Sequence, residues 1–166
     1  ARDVFPKLGF VPPVVISHHM LLGLQFQETD KTGVERKIAM KMSKSKPETA
    51  IFMTDSEEEV SRKIKKAYCP EKIIEENPII EYCRYILFEK FKEIKVDRPA
   101  KFGGDLTIKS FNELSEIYSE GKLHPMDLKQ AVSVYINELI EPVRKHFEKG
   151  KAKELLDNVK RFEVTS

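Results

Sequence analysis

The sequence predicts a mostly α-helical protein with one short β-hairpin, preceded by a stretch with the rhythm of a parallel α/β sheet. Three observations carry that prediction. From residue 56 onward apolar residues recur at three- and four-residue steps, the spacing that lines one face of a helix. Two short alternating segments, 93–96 and 106–108, interrupt them as strands would. Ahead of both, a segment closed by Gly9 leads into the β-branched run Val14-Val15-Ile16, and a helix end followed by a buried strand is how α/β units are built.

Composition narrows the function classes. With 40% hydrophobic residues in 166, the chain can bury a real core. Lys+Arg 29 against Asp+Glu 27 leaves a formal net charge of +2, so any nucleic-acid partner must meet a local basic patch. Cys69 and Cys83 are too far apart for a CxxC pair, and no His/Cys cluster has zinc spacing; both are expected as reduced, buried thiols, with no metal site. No apolar run approaches the ~20 residues needed to span a bilayer, which predicts a soluble, cytoplasmic protein without a membrane partner.

The elements follow in order. The chain starts at Ala1 without a methionine, and the opening reads as the end of a helix, as if cut from something longer. His18 and His19 read as the polar exit of the Val14–Ile16 strand rather than as ligands. Leu22–Gln27 and Val34–Met40 flank the turn-like 28–33, which predicts a hairpin. It delivers Lys41-Met42-Ser43-Lys44-Ser45, where two ammonium groups and two hydroxyls within five residues suit a phosphate; a solvated surface loop is the plain alternative. Ser56 and Glu59 have capping-box spacing. The helix they open sets Val60, Ile64, Ala67 and Tyr68 on one side. Arg62, Lys63, Lys65 and Lys66 cover the rest, a face that either lies along an RNA backbone or meets only water.

Pro78 suits the first turn of a second helix, with Ile79, Cys83, Ile86 and Leu87 facing the core and Tyr82, Tyr85 and Phe88 widening that face. Between the two strands lies a loop, 98–105, whose paired glycines permit close backbone approach; Phe102 beside them is either an exposed platform or, as is usual for an aromatic ring, a plug into the core. Phe111 to Tyr118 reads as a helix closed by Gly121. The longest helix opens at Leu123–Asp127, with Asp127 the expected N-cap, and carries a stripe from Leu128 to Phe147. Pro142 is expected to kink or divide it. Gly150 then separates a last amphipathic helix bearing Leu155, Leu156, Val159 and Phe162.

Four ordered strings carry a resemblance: KMSKS at 41–45, Lys65 to Pro70, Lys101 to Thr107, and Leu123 to Lys129. KMSKS is the signature loop of class I aminoacyl-tRNA synthetases, and the four together closely resemble tyrosyl-tRNA synthetases of the archaeal and eukaryotic branch. The resemblance implies that 1–40 is a remnant of a Rossmann-type catalytic domain, 41–56 the KMSKS loop and linker, and 57–166 a helical anticodon-binding domain, with the upstream half absent. It implies a ligase that joins tyrosine to ATP, with Mg2+ accompanying the nucleotide, and then passes the tyrosyl group to tRNA(Tyr). On that likeness Lys41 and Lys44 are the catalytic candidates, and Met42, Ser43 and Ser45 complete the ATP-binding loop. Phe102, His124, Pro125 and Asp127 are the anticodon-binding candidates. Guanine presents two adjacent N–H donors, which the Asp127 carboxylate can accept together while Phe102 and His124 stack and Pro125 stiffens the backbone.

The chain departs from the branch in two places: Lys44 stands where serine is frequent, and the approach over 24–40 is longer. Two other readings stay open. No class I HIGH-type string occurs in these residues, so the isolated chain can be a non-catalytic anticodon-binding module. Tryptophanyl-tRNA synthetase shares a similar loop, although FGGD and HPMDLK resemble the tyrosine enzyme. Members of this family dimerise through the absent half, so the chain is expected to be monomeric.

Overall fold

A computed structural model describes residues 2–25, 30, 32–43 and 45–162. Its elements are α1 (Gly33–Met40), α2 (Glu57–Lys66), α3 (Pro78–Tyr82), a π-helical turn (Cys83–Leu87), α4 (Phe88–Lys90), β1 (Ile94–Val96), β2 (Leu106–Ile108), α5 (Phe111–Ser119), α6 (Pro125–His146) and α7 (Gly150–Arg161). The mostly helical architecture and the hairpin are as the periodicity predicts. β1 and β2 pair antiparallel, with Ile94 opposite Ile108 and Val96 opposite Leu106.

The core forms where α2, the α3 segment and the hairpin close on α6. Val60 and Ile64 of α2 share one buried cluster with Leu128, Val132, Ile136 and Ile140 of α6 and with Ile94, Val96 and Ile108 of the sheet. At the start of α2 the Ser56 side chain accepts from the Glu59 N–H at 3.2 Å, and acidic residues in the first turn with lysines in the last complement the helix dipole. Asn77, fully buried, caps α3: its side-chain oxygen accepts from the Ile79 and Ile80 N–H groups and its amide donates to the Ile73 carbonyl. The next turn is wider, because the Phe88 N–H reaches back five residues to the Cys83 carbonyl. Cys83 and Leu87 stay buried, whereas Tyr85 is turned outward.

Four expectations give way. Val14, Val15 and Ile16 form no strand and are 90%, 60% and 85% exposed, because a strand needs a neighbour and no described segment lies beside them. The hairpin over 21–41 is half present. An isolated antiparallel bridge joins Leu22 to Lys41, with the Gly23 N–H on the Met40 carbonyl at 2.8 Å, but 33–40 coils into α1, as its run of Glu, Arg, Lys, Ala and Met favours. The outer arm, 26–29, lies outside the described residues. Pro142 does not divide α6, which continues to His146; the proline is on the exposed side, where the Glu138 carbonyl it leaves without a partner can meet water. Finally, His19 is more than a polar exit: its ring stacks on Tyr85 at 3.9 Å and its Nε2 meets Glu81 Oε1 at 3.0 Å, fastening the N-terminal strap to the helical body.

Both cysteines are free, and burial pushes each thiol above its ordinary range, so neither is a thiolate at neutral pH. No helix among the described residues is long and apolar enough to cross a membrane.

Candidate functional site

Two hollows gather the residues singled out in the sequence. The first, about 460 Å³, lies where the loop between β1 and β2 meets the start of α6. Its walls include Phe102, His124, Met126 and Asp127, so the structure brings together three of the four expected base-reading residues. Pro125 is the first residue of α6 and is buried beneath them, where it fixes the backbone without facing the hollow.

The loop geometry explains how the walls meet. A 3-10 turn over Ala100–Phe102 ends at Gly103 and Gly104, whose φ angles of 99° and 71° favour glycine. Arg98 clasps this turn: its backbone N–H bonds Asp105 Oδ1 at 3.1 Å, its Nε bonds the Gly104 carbonyl at 2.9 Å, and its Nη1 bonds the Lys122 carbonyl at 2.9 Å. One guanidinium thus ties the Phe102 turn to the segment entering α6. Phe102 is 59% exposed, so it is the platform and not the plug, with Lys101 Nζ 4.9 Å from its ring centre. Arg98, Lys122 and Met126 are not among the residues the sequence singles out; for the first, the signal is an arginine opening the loop that runs from Pro99 to the paired glycines.

His124, not Asp127, is the N-cap of α6: its Nδ1 accepts from the Met126 N–H at 3.2 Å. Asp127 sits at the third helical position. Its carboxylate has no hydrogen bond or ion pair with another described residue, which leaves both oxygens to accept from a ligand. The His124 Nε2 lies 3.5 Å from Glu71 Oε1.

The second hollow, about 430 Å³, is lined by residues that include Gln25, Met40, Lys41, Ser43, Lys46 and Thr49. Ser43 and Lys46 face each other across a tight turn closed by the Lys46 N–H on the Ser43 carbonyl at 3.1 Å. Ser43 and Ser45 hydroxyls pair at 2.9 Å, and Lys41 is exposed, able to swing onto an anion. Met42 is half-buried against the core. Lys44 lies outside the described residues. Glu48, also in the lining, is held by Arg62 through Nη1 at 2.7 Å, and that bond keeps its carboxyl below the ordinary range.

The basic face expected on α2 is smaller than the sequence suggests. Arg62 is engaged by Glu48 and Glu59, and Lys63 is buried at 2% exposure, its ammonium 2.6 Å from Asp55 and 3.0 Å from the Ala50 carbonyl. Lys65 and Lys66 remain exposed.

A family model for class I tRNA synthetases (W and Y) matches residues 2–141. The tyrosine–tRNA ligase of Pyrococcus horikoshii is 48% identical, with 90% of this chain aligned to 44% of that protein. The cytoplasmic tyrosine–tRNA ligase 2 of Arabidopsis thaliana is 48% identical over 92% of this chain and 19% of its own length. Among solved structures, the Pyrococcus horikoshii tyrosyl-tRNA synthetase complexed with L-tyrosine superposes with a TM-score of 0.78 at 43% identity, covering 95% of this chain and 47% of that one. The chain therefore spans less than half the length of these relatives, which come from both the archaeal and the eukaryotic side.

Proposed function

The chain belongs to the class I tRNA synthetases of the tryptophan and tyrosine group, and from that premise we propose that it supplies the phosphate loop and anticodon reader of a tyrosine–tRNA ligase. On this reading 1–40 ends a Rossmann-type catalytic domain, 41–56 is the loop and linker, and 57–166 is the anticodon-binding domain. The observation that carries it is the hollow in which Phe102, His124 and an unpaired Asp127 carboxylate converge. Phe102 and His124 offer flat surfaces for an unstacked base, and Asp127 accepts the two N–H donors on the edge of a guanine. Adenine, cytosine and uracil cannot present that pair.

The loop acts on ATP. When the tyrosine carboxylate attacks the α-phosphorus, negative charge grows on the departing pyrophosphate, and the Lys41 and Lys44 ammonium groups stabilise that charge more than the ground state. Ser43 and Ser45 add hydrogen bonds. On this reading Mg2+ would accompany the ATP phosphates. On the same reading, dimer contacts fall outside this chain, the chain itself is monomeric, and the ligase works in the cytoplasm.

Binding of short anticodon-loop RNA hairpins carrying each base at the first anticodon position tests the reader. The guanine hairpin should bind most tightly, and Asp127→Ala should erase about 2 kcal/mol of that preference, roughly thirtyfold, because two charge-assisted bonds disappear. An Asp127→Ala chain that still prefers guanine in full overturns the assignment. A second reading, a binder with no chemistry of its own, predicts such binding with no pyrophosphate exchange by the 166-residue chain.

A further inference from the structure

We propose that Thr49 is the positioning residue of the phosphate loop, holding the Ser43–Lys46 turn and tying it to the helical body. The inference rests on the reading of 41–45 as a phosphate loop and names what keeps that loop in place.

Three independent sets of contacts converge on this threonine. Its hydroxyl accepts from the Ser43 N–H at 3.0 Å and donates to the Lys46 carbonyl at 2.7 Å, so one side chain bonds both ends of the turn. A hydroxyl can do this because it donates and accepts at once; valine, of nearly the same shape, can do neither. The Thr49 carbonyl accepts from the Leu24 N–H at 2.9 Å, and the Leu24 carbonyl accepts from the Tyr68 N–H at 2.7 Å, just past the end of α2. Leu24 has no solvent exposure, so this link is anchored in the core. Lastly, Gly23 lies flush against the residue. A Cβ there would stand 3.2 Å from the Thr49 Cβ and 3.3 Å from the Met40 carbonyl oxygen, so the segment before the loop is seated closely on Thr49.

A phosphate loop without such a tie must be ordered each time it meets a phosphate, and that ordering subtracts from the stabilisation its ammonium groups provide. Thr49 performs part of the ordering in advance. A role confined to capping the 3-10 turn Pro47–Thr49 is already met by the Thr49 backbone N–H, which bonds the Lys46 carbonyl at 2.9 Å. The hydroxyl is therefore surplus to that role.

The test uses Thr49→Val, Thr49→Ser and Gly23→Ala in the 166-residue chain and in a ligase that contains it. Amide exchange at Ser43 should quicken about tenfold in Thr49→Val and in Gly23→Ala and stay slow in Thr49→Ser, while Val132 in the core exchanges as before. In the ligase, Thr49→Val should lower kcat for pyrophosphate exchange about tenfold with KM for tyrosine unchanged, and serine should restore it. Ser43 exchange unaffected by both Thr49→Val and Gly23→Ala, or quickened equally by Thr49→Ser, overturns the proposal. So does a loosened Ser43 with unchanged kcat. Lys41→Ala run alongside separates the two ideas: full turnover in Lys41→Ala overturns the phosphate-loop reading, whereas its loss beside an intact Thr49→Val overturns Thr49 alone.

Discussion

Lys63 offers the sharpest test of how the helical body is held, because sequence and structure assign it opposite roles. In the sequence it lies in a basic face; in the structure it is 2% exposed, with its ammonium bonded to Asp55 Oδ2 and the Ala50 carbonyl and 4.8 Å from the Phe52 ring centre. Lys63→Met keeps the apolar stem and removes the charge. Breaking one side of a buried pair typically costs about 3–5 kcal/mol, because the surviving charge is left without compensation. Here the lower end applies: Asp55 keeps a bond from the Phe52 N–H at 2.9 Å, and its side chain retains 12% exposure. The expected loss is about 3 kcal/mol, which at a urea m-value of about 2 kcal/mol/M moves the unfolding midpoint down by about 1.5 M with the slope unchanged. Adding Asp55→Asn should recover part of the loss, since no unpaired charge remains. Below the new midpoint, RNA affinity should keep its salt slope. A Lys63→Met chain within about 0.5 kcal/mol of the parent, with a slope reduced by about one phosphate contact, would show the lysine to be a surface RNA ligand and refute the reasoning.

Two further outcomes are expected. In a ligase containing the chain, Lys41→Ala should slow adenylate formation about a hundredfold, on the order of 3 kcal/mol, with little change in tyrosine affinity, measured by pyrophosphate exchange; equal losses in both would remove the loop from the transition state. The Arg36–Glu76 pair, with Nη2 2.8 Å from Oε2, ties α1 to the segment before α3 and holds the Glu76 carboxyl below its ordinary 4.5. A carboxyl depressed in the folded state contributes stability above the unfolded pKa and loses it as pH falls through the folded one. Amide protection of α1 relative to α6 should thus be flat down to about pH 5 and decline below it, and Glu76→Gln should abolish that dependence.

Regular periodicity was legible wherever the partner surface lies within the chain. The stripe from Leu128 to Ile140 and the Ile94–Val96 alternation both find their neighbours in the helical body, and both elements form where expected. Val14–Ile16 has the composition of a strand but no described neighbour to pair with, so local preference had nothing to act on. Helical phase separates the lysines of the basic run: Lys63 follows Val60 by three residues and precedes Ala67 by four, on the buried side of α2, whereas Lys65 is turned away from it. What no local window shows is the set of partners that lets a lysine stay there, Asp55, the Ala50 carbonyl and the Phe52 ring, which depend on where the linker lies. At the reading hollow the motif residues were visible as a string, but the clasp by Arg98 was not. It depends on a loop carbonyl and one 24 residues away in sequence, which no local window joins.

The wide turn at Cys83–Leu87 changes the phase of everything beyond it. A regular helix would close the bond at four residues; this one spends five, and the segment carries two outward arms. Tyr85 takes one direction and stacks on His19 of the strap, and Arg84 takes another, its guanidinium 5.0 Å from the Phe111 ring centre of α5. Deleting a single residue here would rewind the helix by about 100° for everything after it. Phe88–Lys90 would turn with it, and the entry to β1 would be aimed elsewhere. The turn is in effect a spacer that lets one helix grip both the strap and α5 while keeping Cys83 and Leu87 in register with α6.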